Sequence, residues 1–140
     1  MIKSMYPYLV TNGNGQEAVR FYEKALQADV LEVKTFGDMP SQPGEEMPDE
    51  MKDRVLNAHL KVGNTDFMIS DTNPGQPHTV GDHLSIALSL TDPDLTRDIF
   101  AQLAEGGEVV MDVQETFWSP AYGQVKDRFG ILWQVNTVTE

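Results

Sequence analysis

Two amphipathic helical stretches, each preceded by one strand-like segment and followed by three, most constrain what this chain can fold into. In the first, Ala18, Phe21, Tyr22, Ala25 and Leu26 fall at i, i+3, i+4, i+7 and i+8, drawing one apolar stripe down a helix. Asn14 stands as its N-cap, and Glu17 completes a capping-box arrangement with Asn in place of Ser or Thr. In the second, DPDLTRDIFAQLAEGG, Asp92 is the N-cap, Pro93 takes the first helical position and Gly106 follows the end. Leu95, Ile99, Phe100 and Leu103 make its stripe.

The strand-like segments complete the pattern. YPYLVT precedes the first helix, and residues 28–36, 54–63 and 65–71 follow it, the last two joined at the turn dipeptide Gly63-Asn64. HLSIALSLT, residues 83–91, precedes the second helix, and segments near 108–115, 121–127 and 131–138 follow it. Strand, helix and three strands thus occur twice, which predicts an α+β fold of tandem βαβββ modules, about 1–72 and about 82–140, within one domain spanning 1–140. Each helix needs an apolar sheet face to cover, and the opposite face is left to line a groove.

Alternation assigns those faces. Leu84, Ile86, Leu88 and Leu90 are expected under the second helix, with His83, Ser85, Ala87, Ser89 and Thr91 facing away. Leu56, Ala58, Leu60 and Val62 are expected inward, leaving Asn57, His59 and Lys61 on the open face. In DRFGILWQVN, Ile131, Trp133 and Val135 pack, so Leu132, Gln134 and Asn136 face the groove. Residues 37–53, GDMPSQPGEEMPDEMKD, carry three Pro, two Gly and six acidic residues without a sustained period. They read as a long acidic loop, either a lid whose Met39, Met47 and Met51 lie over a pocket or a flexible insertion.

Composition excludes whole classes of function. A chain of 140 residues suffices for one ordinary core. It has no Cys, so disulfides, thiolate nucleophiles and Cys-based metal sites are ruled out, and a reducing cytoplasm suits it. A formal charge of −12 with scattered Lys and Arg repels a phosphate backbone, so no nucleic-acid partner is expected. No apolar run approaches a membrane span, and no signal-peptide core stands at the N-terminus.

The tandem order, PYLVTNGNGQEAVRFYEKAL, NAHLKVGNTDFMISD and the tail DRFGILWQVN together resemble the vicinal oxygen chelate superfamily of glyoxalases, extradiol dioxygenases and fosfomycin or bleomycin resistance proteins. More narrowly, the chain is similar to the PhnB-like subgroup, often labelled demethylubiquinone methyltransferases. The Phe21-Tyr22 pair, the His59 strand with Asp71, and the Asp127, Gly130, Trp133 tail carry the likeness. The resemblance implies a curved mixed sheet around a pocket, a small-molecule ligand and a homodimer.

It also implies four places for metal ligands. Gln134 occupies the eighth-strand place, and the fifth-strand place is Ser85. The first-strand place falls at Tyr6, Pro7 or Tyr8 and the fourth near Ile69 or Ser70, none a usual ligand. A degenerate metal site is therefore expected and no cofactor is favoured. A divalent metal stays open through a non-standard set of His59, His83 and Gln134. His78, in a Pro/Gly loop, is expected to be exposed.

Two functions follow. In the first, a binding protein holds a ligand in a cavity lined by Tyr8, Asn57, His59 and Phe67 from the first module and by Ser85, Trp118 and Gln134 from the second, with the acidic lid favouring a cation. In the second, a lyase or isomerase of glyoxalase type uses His59 as general base, with or without a metal. Methyl transfer has the weakest support. NGNGQEA, residues 12–18, lies between a strand and a helix, but one short Gly-rich turn is a weak signal that the repeat explains as a helix entry.

Overall fold

The first apolar stripe becomes the buried face of helix α1 (Gly15–Ala25), where Ala18, Val19, Tyr22 and Ala25 pack against strands β1 (Tyr8–Thr11), β2 (Asp29–Thr35), β3 (Val55–Val62) and β4 (Thr65–Asp71). The computed structural model describes residues 1–40, 44 and 46–139. It divides into two compact units, Met1–His78 and Thr79–Glu140.

In the first unit the sheet order is β1-β4-β3-β2, with β1 parallel to β4 and the other pairs antiparallel. Tyr22, Val55, Ala58, Leu60 and Ile69 are fully buried at the helix–sheet contact. Val30 breaks strict alternation because β2 carries a register shift between Val30 and Glu32.

Several expectations need correction here. Asn14 caps α1 by position only: its side chain accepts from the Asn12 N–H, while the Asp71 carboxylate takes the N–H groups of Gly13 and Gly15. Phe67 does not face a groove. It lies on the same face of β4 as Ile69, 3% exposed, with its ring edge-on to Tyr22 at 5.3 Å. Leu56 is exposed rather than inward, because the register between β2 and β3 shifts at Lys34/Thr35 and puts Val55 in the core instead. His78 is tethered, its Nε2 lying 2.9 Å from the Val10 carbonyl.

The described ends of the 37–53 segment carry secondary structure. A 3₁₀ turn spans Phe36–Asp38, closed by the Thr35 N–H on Asp38 Oδ2, and a short helix α2 spans Asp49–Lys52. Gly37 packs against Lys52, and the Phe36 N–H donates to the Arg54 carbonyl, so the two ends meet. Residues 41–43 and 45, within the expected lid, lie outside the described residues.

The second unit repeats the plan with strands β5 (Ser85–Leu90), β6 (Glu108–Gln114), β7 (Tyr122–Lys126) and β8 (Leu132–Thr137) and helix α3 (Pro93–Ala104). Its order is β5-β8-β7-β6, again with the first pair parallel. Asp92 caps α3 by accepting the Asp94 N–H at 2.9 Å. The buried stripe is Thr96, Ile99, Phe100 and Leu103, with Leu95 only half-buried. Thr96 is tolerated there because its hydroxyl meets that of Thr137 at 2.7 Å. Leu84, expected under the helix, is 79% exposed because it precedes the first paired residue of β5.

Among the described residues no helix is long and apolar enough to cross a membrane.

Candidate functional site

Along β8, Trp133 and Val135 are buried toward α3, so strand alternation turns Gln134 to the opposite face. The register of the neighbouring strands then decides what it meets. Gln124 on β7 lies directly across from Gln134, and Ser85 on β5 pairs with Leu132, two residues away on the same face. Gln134 Nε2 donates to Ser85 Oγ at 2.8 Å, and Gln134 Oε1 accepts from the Tyr122 hydroxyl at 2.5 Å. Gln124 Nε2 donates to the same Tyr122 oxygen at 3.0 Å.

Ser85, Gln124 and Gln134 border a cavity of about 420 Å³ that also touches Asp82, His83 and Val110. That volume lies within the usual range for small-molecule pockets, about 300–1,000 Å³. Tyr122 is 7% exposed although it lies on the open face, because Trp118 covers it edge-on with centroids 5.2 Å apart. Phe117 packs on Trp118 in turn at 4.8 Å. Trp118, expected to line the cavity, is exposed and packs on Tyr122 of β7.

The first unit has a second polar cluster on the sheet face turned from α1. Asn57 Nδ2 donates to the Tyr8 hydroxyl at 3.2 Å, spanning β4, which lies between β1 and β3. His59 Nε2 lies 2.9 Å from Asp66 Oδ1. This hydrogen bond, aided by the charges of His59 and Lys61, holds the Asp66 carboxyl below its ordinary value even though partial burial acts the other way. With Nε2 held, Nδ1 is the His59 nitrogen left to meet a ligand.

Two buried carboxylates position these clusters. Asp71 accepts from Thr11 Oγ1, Gly13 N and Gly15 N through Oδ1 and from Val55 N through Oδ2, all at 2.7–3.0 Å. It thereby joins β1, the start of α1, β3 and β4. Asp127 Oδ1 accepts from Phe129 N and Ile131 N, and its Oδ2 accepts from Trp133 Nε1 at 2.8 Å. Gly130 closes the same turn at φ +87, a conformation suited to glycine. Holding the Trp133 indole inward is what aims Gln134 outward.

Of the sequence-predicted residues, the structure brings Ser85 and Gln134 together in the second unit and Tyr8 with Asn57 in the first. His59 belongs to the first unit, and His83 and Gln134 to the second. Sequence reading missed Tyr122, Gln124 and Asp66. Alternation through β7 could have found the first two, since Gly123 and Val125 are buried between and beyond them. Asp66 sits opposite Lys61 in the hairpin, diagonal to His59.

A family model described as 3-demethylubiquinone-9 3-methyltransferase matches residues 3–136. The chain belongs to this PhnB-like family. Protein YjdN of Escherichia coli (strain K12) is 31% identical over 141 residues, covering 96% of this chain and 95% of YjdN. The crystal structure of PA1353 from Pseudomonas aeruginosa is 34% identical with a TM-score of 0.86, covering 99% of this chain and all 100% of that one. The PhnB protein from Bacillus cereus superposes with a TM-score of 0.79 at 20% identity, covering 97% of this chain and 100% of its own. At the level of fold, the fosfomycin resistance protein FosX from Listeria monocytogenes, solved with manganese(II), has a TM-score of 0.64 at 12% identity, over 99% of this chain and 95% of FosX. The fold is thus that of the vicinal oxygen chelate superfamily, and the manganese belongs to FosX.

In this PhnB-like chain the residues at the metal-ligand places do not fit a metal. Ser85 and Gln134 hydrogen-bond to each other, and the Gln134 amide oxygen is engaged by Tyr122. Among the described residues no group of three or more His, Cys, Asp or Glu could hold an ion. The methyl transfer in the family's description is not assigned by membership. In this PhnB-like chain the glycine-rich turn before α1 is filled by the Asp71 carboxylate, and each sheet has one parallel pair rather than a doubly wound parallel order.

Proposed function

We propose that this chain binds a small molecule against the open sheet face of its second unit without a resident metal. One observation carries the reading: a cavity of about 420 Å³ bordered by the linked polar side chains of Gln124, Gln134 and Ser85. A wall with a few placed polar groups among apolar neighbours is the usual form of a ligand site. Tyr8, Asn57 and His59 are proposed as ligand contacts on the first unit's own open sheet face, and a single domain of residues 1–140 in a cytoplasmic homodimer completes the reading.

The test begins with metal content of the untagged protein by mass spectrometry, then calorimetric titration of zinc, nickel, manganese and iron into the parent and its Gln134→Ala and His59→Ala variants. No specific binding by any metal is expected. Stoichiometric binding lost in both variants would overturn the metal-free reading. A compound panel read by thermal stabilisation follows; a ligand at a hundred times its Kd adds about 2.7 kcal/mol, and Gln134→Ala should abolish the gain.

A second reading has an observation of its own. The Asp66 carboxylate fixes Nε2 of His59 and so presents Nδ1, the arrangement that an oriented general base requires. A lyase or isomerase using His59 would lose turnover in His59→Ala and keep part of it in Asp66→Asn. Equal turnover in His59→Ala and the parent would end this reading.

A further inference from the structure

The hydrogen bonds beside the cavity all run in one direction. Gln124 donates N–H to the Tyr122 oxygen, Tyr122 donates O–H to Gln134 Oε1, and Gln134 donates N–H to Ser85 Oγ. Each group accepts from the one before and donates to the one after. The relay ends at Ser85, whose own O–H proton is used by none of these bonds, and Ser85 is exposed on the cavity wall. Hydrogen bonds aligned head to tail polarise one another by about 10–30% per bond, so a terminal hydroxyl that accepts a bond donates more strongly.

The interior members of the relay are shielded and coupled. Tyr122 is buried beneath Trp118, which limits competition from water for the phenol. Reversing the relay requires the Gln124 and Gln134 amides to turn over together with the Tyr122 hydroxyl. Such a flip would consume the Ser85 proton.

We propose that the Ser85 hydroxyl is the recognition donor of this cavity and that its ligand is a ring-sized molecule presenting an unprotonated oxygen acceptor, a carbonyl or carboxylate. This rests on the small-molecule reading above and replaces the cationic ligand expected from the acidic loop. A cation can meet Ser85 only through the Oγ lone pair that Gln134 leaves, whereas an acceptor takes the polarised proton itself. Ser85 and Gln134 occupy two of the places where the superfamily resemblance puts metal ligands, so a proton-ended relay stands where an ion would polarise a substrate oxygen.

The test uses benzamide, benzoate and benzylammonium, three probes of one ring size with a neutral acceptor, an anionic acceptor and a donor-only cation. Each is titrated into the whole protein in chelator-containing buffer, with the side-chain amide signals of Gln124 and Gln134 followed by NMR. At least one acceptor probe is expected to bind about tenfold more tightly than benzylammonium and to weaken about tenfold in Ser85→Ala, the scale of one hydrogen bond. Ser85→Thr, which keeps the hydroxyl, should restore most of the affinity. Tyr122→Phe, which breaks the relay but leaves Ser85, should fall between parent and Ser85→Ala.

Benzylammonium binding as tightly as either acceptor would overturn this inference and leave the small-molecule reading standing. So would acceptor affinity unchanged in Ser85→Ala, or acceptor binding that needs added manganese. Binding of none of the three at millimolar concentration would overturn both.

Discussion

Asp71 Oδ1 receives the Gly15 N–H at 3.0 Å while its Oδ2 receives the Val55 N–H at 2.7 Å, so one carboxylate ties the first turn of α1 to the first residue of β3. This contact replaces the side-chain cap that Asn14 does not make.

Gly15→Ala is predicted to destabilise the protein. A Cβ at residue 15 would lie 2.7 Å from Asp71 Oδ2 and 2.9 Å from Val55 Cγ2. Helix propensity favours alanine by at most about 1 kcal/mol, whereas forcing the carboxylate and Val55 apart costs about 1–3 kcal/mol and strains the Asp71 bonds as well. Urea denaturation should show a lower midpoint; an unchanged or raised midpoint would mean that the Asp71 side chain moves freely.

Asp127→Ala is predicted to cost about 3 kcal/mol, because Trp133, 1% exposed, would keep a buried indole N–H without its acceptor. Asp127→Asn keeps one acceptor oxygen and should lose less. Tryptophan fluorescence during denaturation measures both, and a loss below about 1 kcal/mol in the alanine variant would show that another group or water satisfies the indole.

Gly123→Ala is predicted to cost about 1–3 kcal/mol, since its Cβ would lie 2.7 Å from Phe100 Cε2 where α3 crosses β7. Phe100→Leu alone also destabilises, but the double variant should recover part of the sum because the smaller side chain admits the methyl group. Strict additivity in the double-mutant cycle would rule out the clash as the cause.

The Asp66–His59 bond predicts an acid-side pH dependence. Because folding lowers the Asp66 carboxyl from its ordinary 3.8, its contribution is present above that value and is lost as pH falls through the lowered native one. The stability gap between the parent and Asp66→Asn should therefore close in acid. The effect is small, since both side chains are partly solvated. Carboxyl carbon NMR, recorded against pH, should place the Asp66 titration on the acid side; a midpoint at or above 3.8 would remove the basis of the prediction.

Much of the fold was legible in the chain because its signals are local. The stripe through Ala18, Tyr22 and Ala25 and the caps of α3 depend on residues within a few turns of one another, and those elements formed as the periods require. Alternation likewise turned Gln134 outward, because Trp133 and Val135 beside it are too apolar to leave in water. The sequence by itself therefore determined the repeated strand and helix order and most of the strand faces. Only the tertiary structure decided the partners. Ser85 and Gln134 are 49 residues apart and meet because β5 runs parallel beside β8 in one particular register. Asp71 reaches Gly15 across 56 residues and displaces the local cap that Asn14 promised, since a buried carboxylate must find several donors wherever the fold supplies them. Phe67 went to the core instead of the groove for a related reason: its face of β4 is set by pairing with β3, and that register puts it under Tyr22.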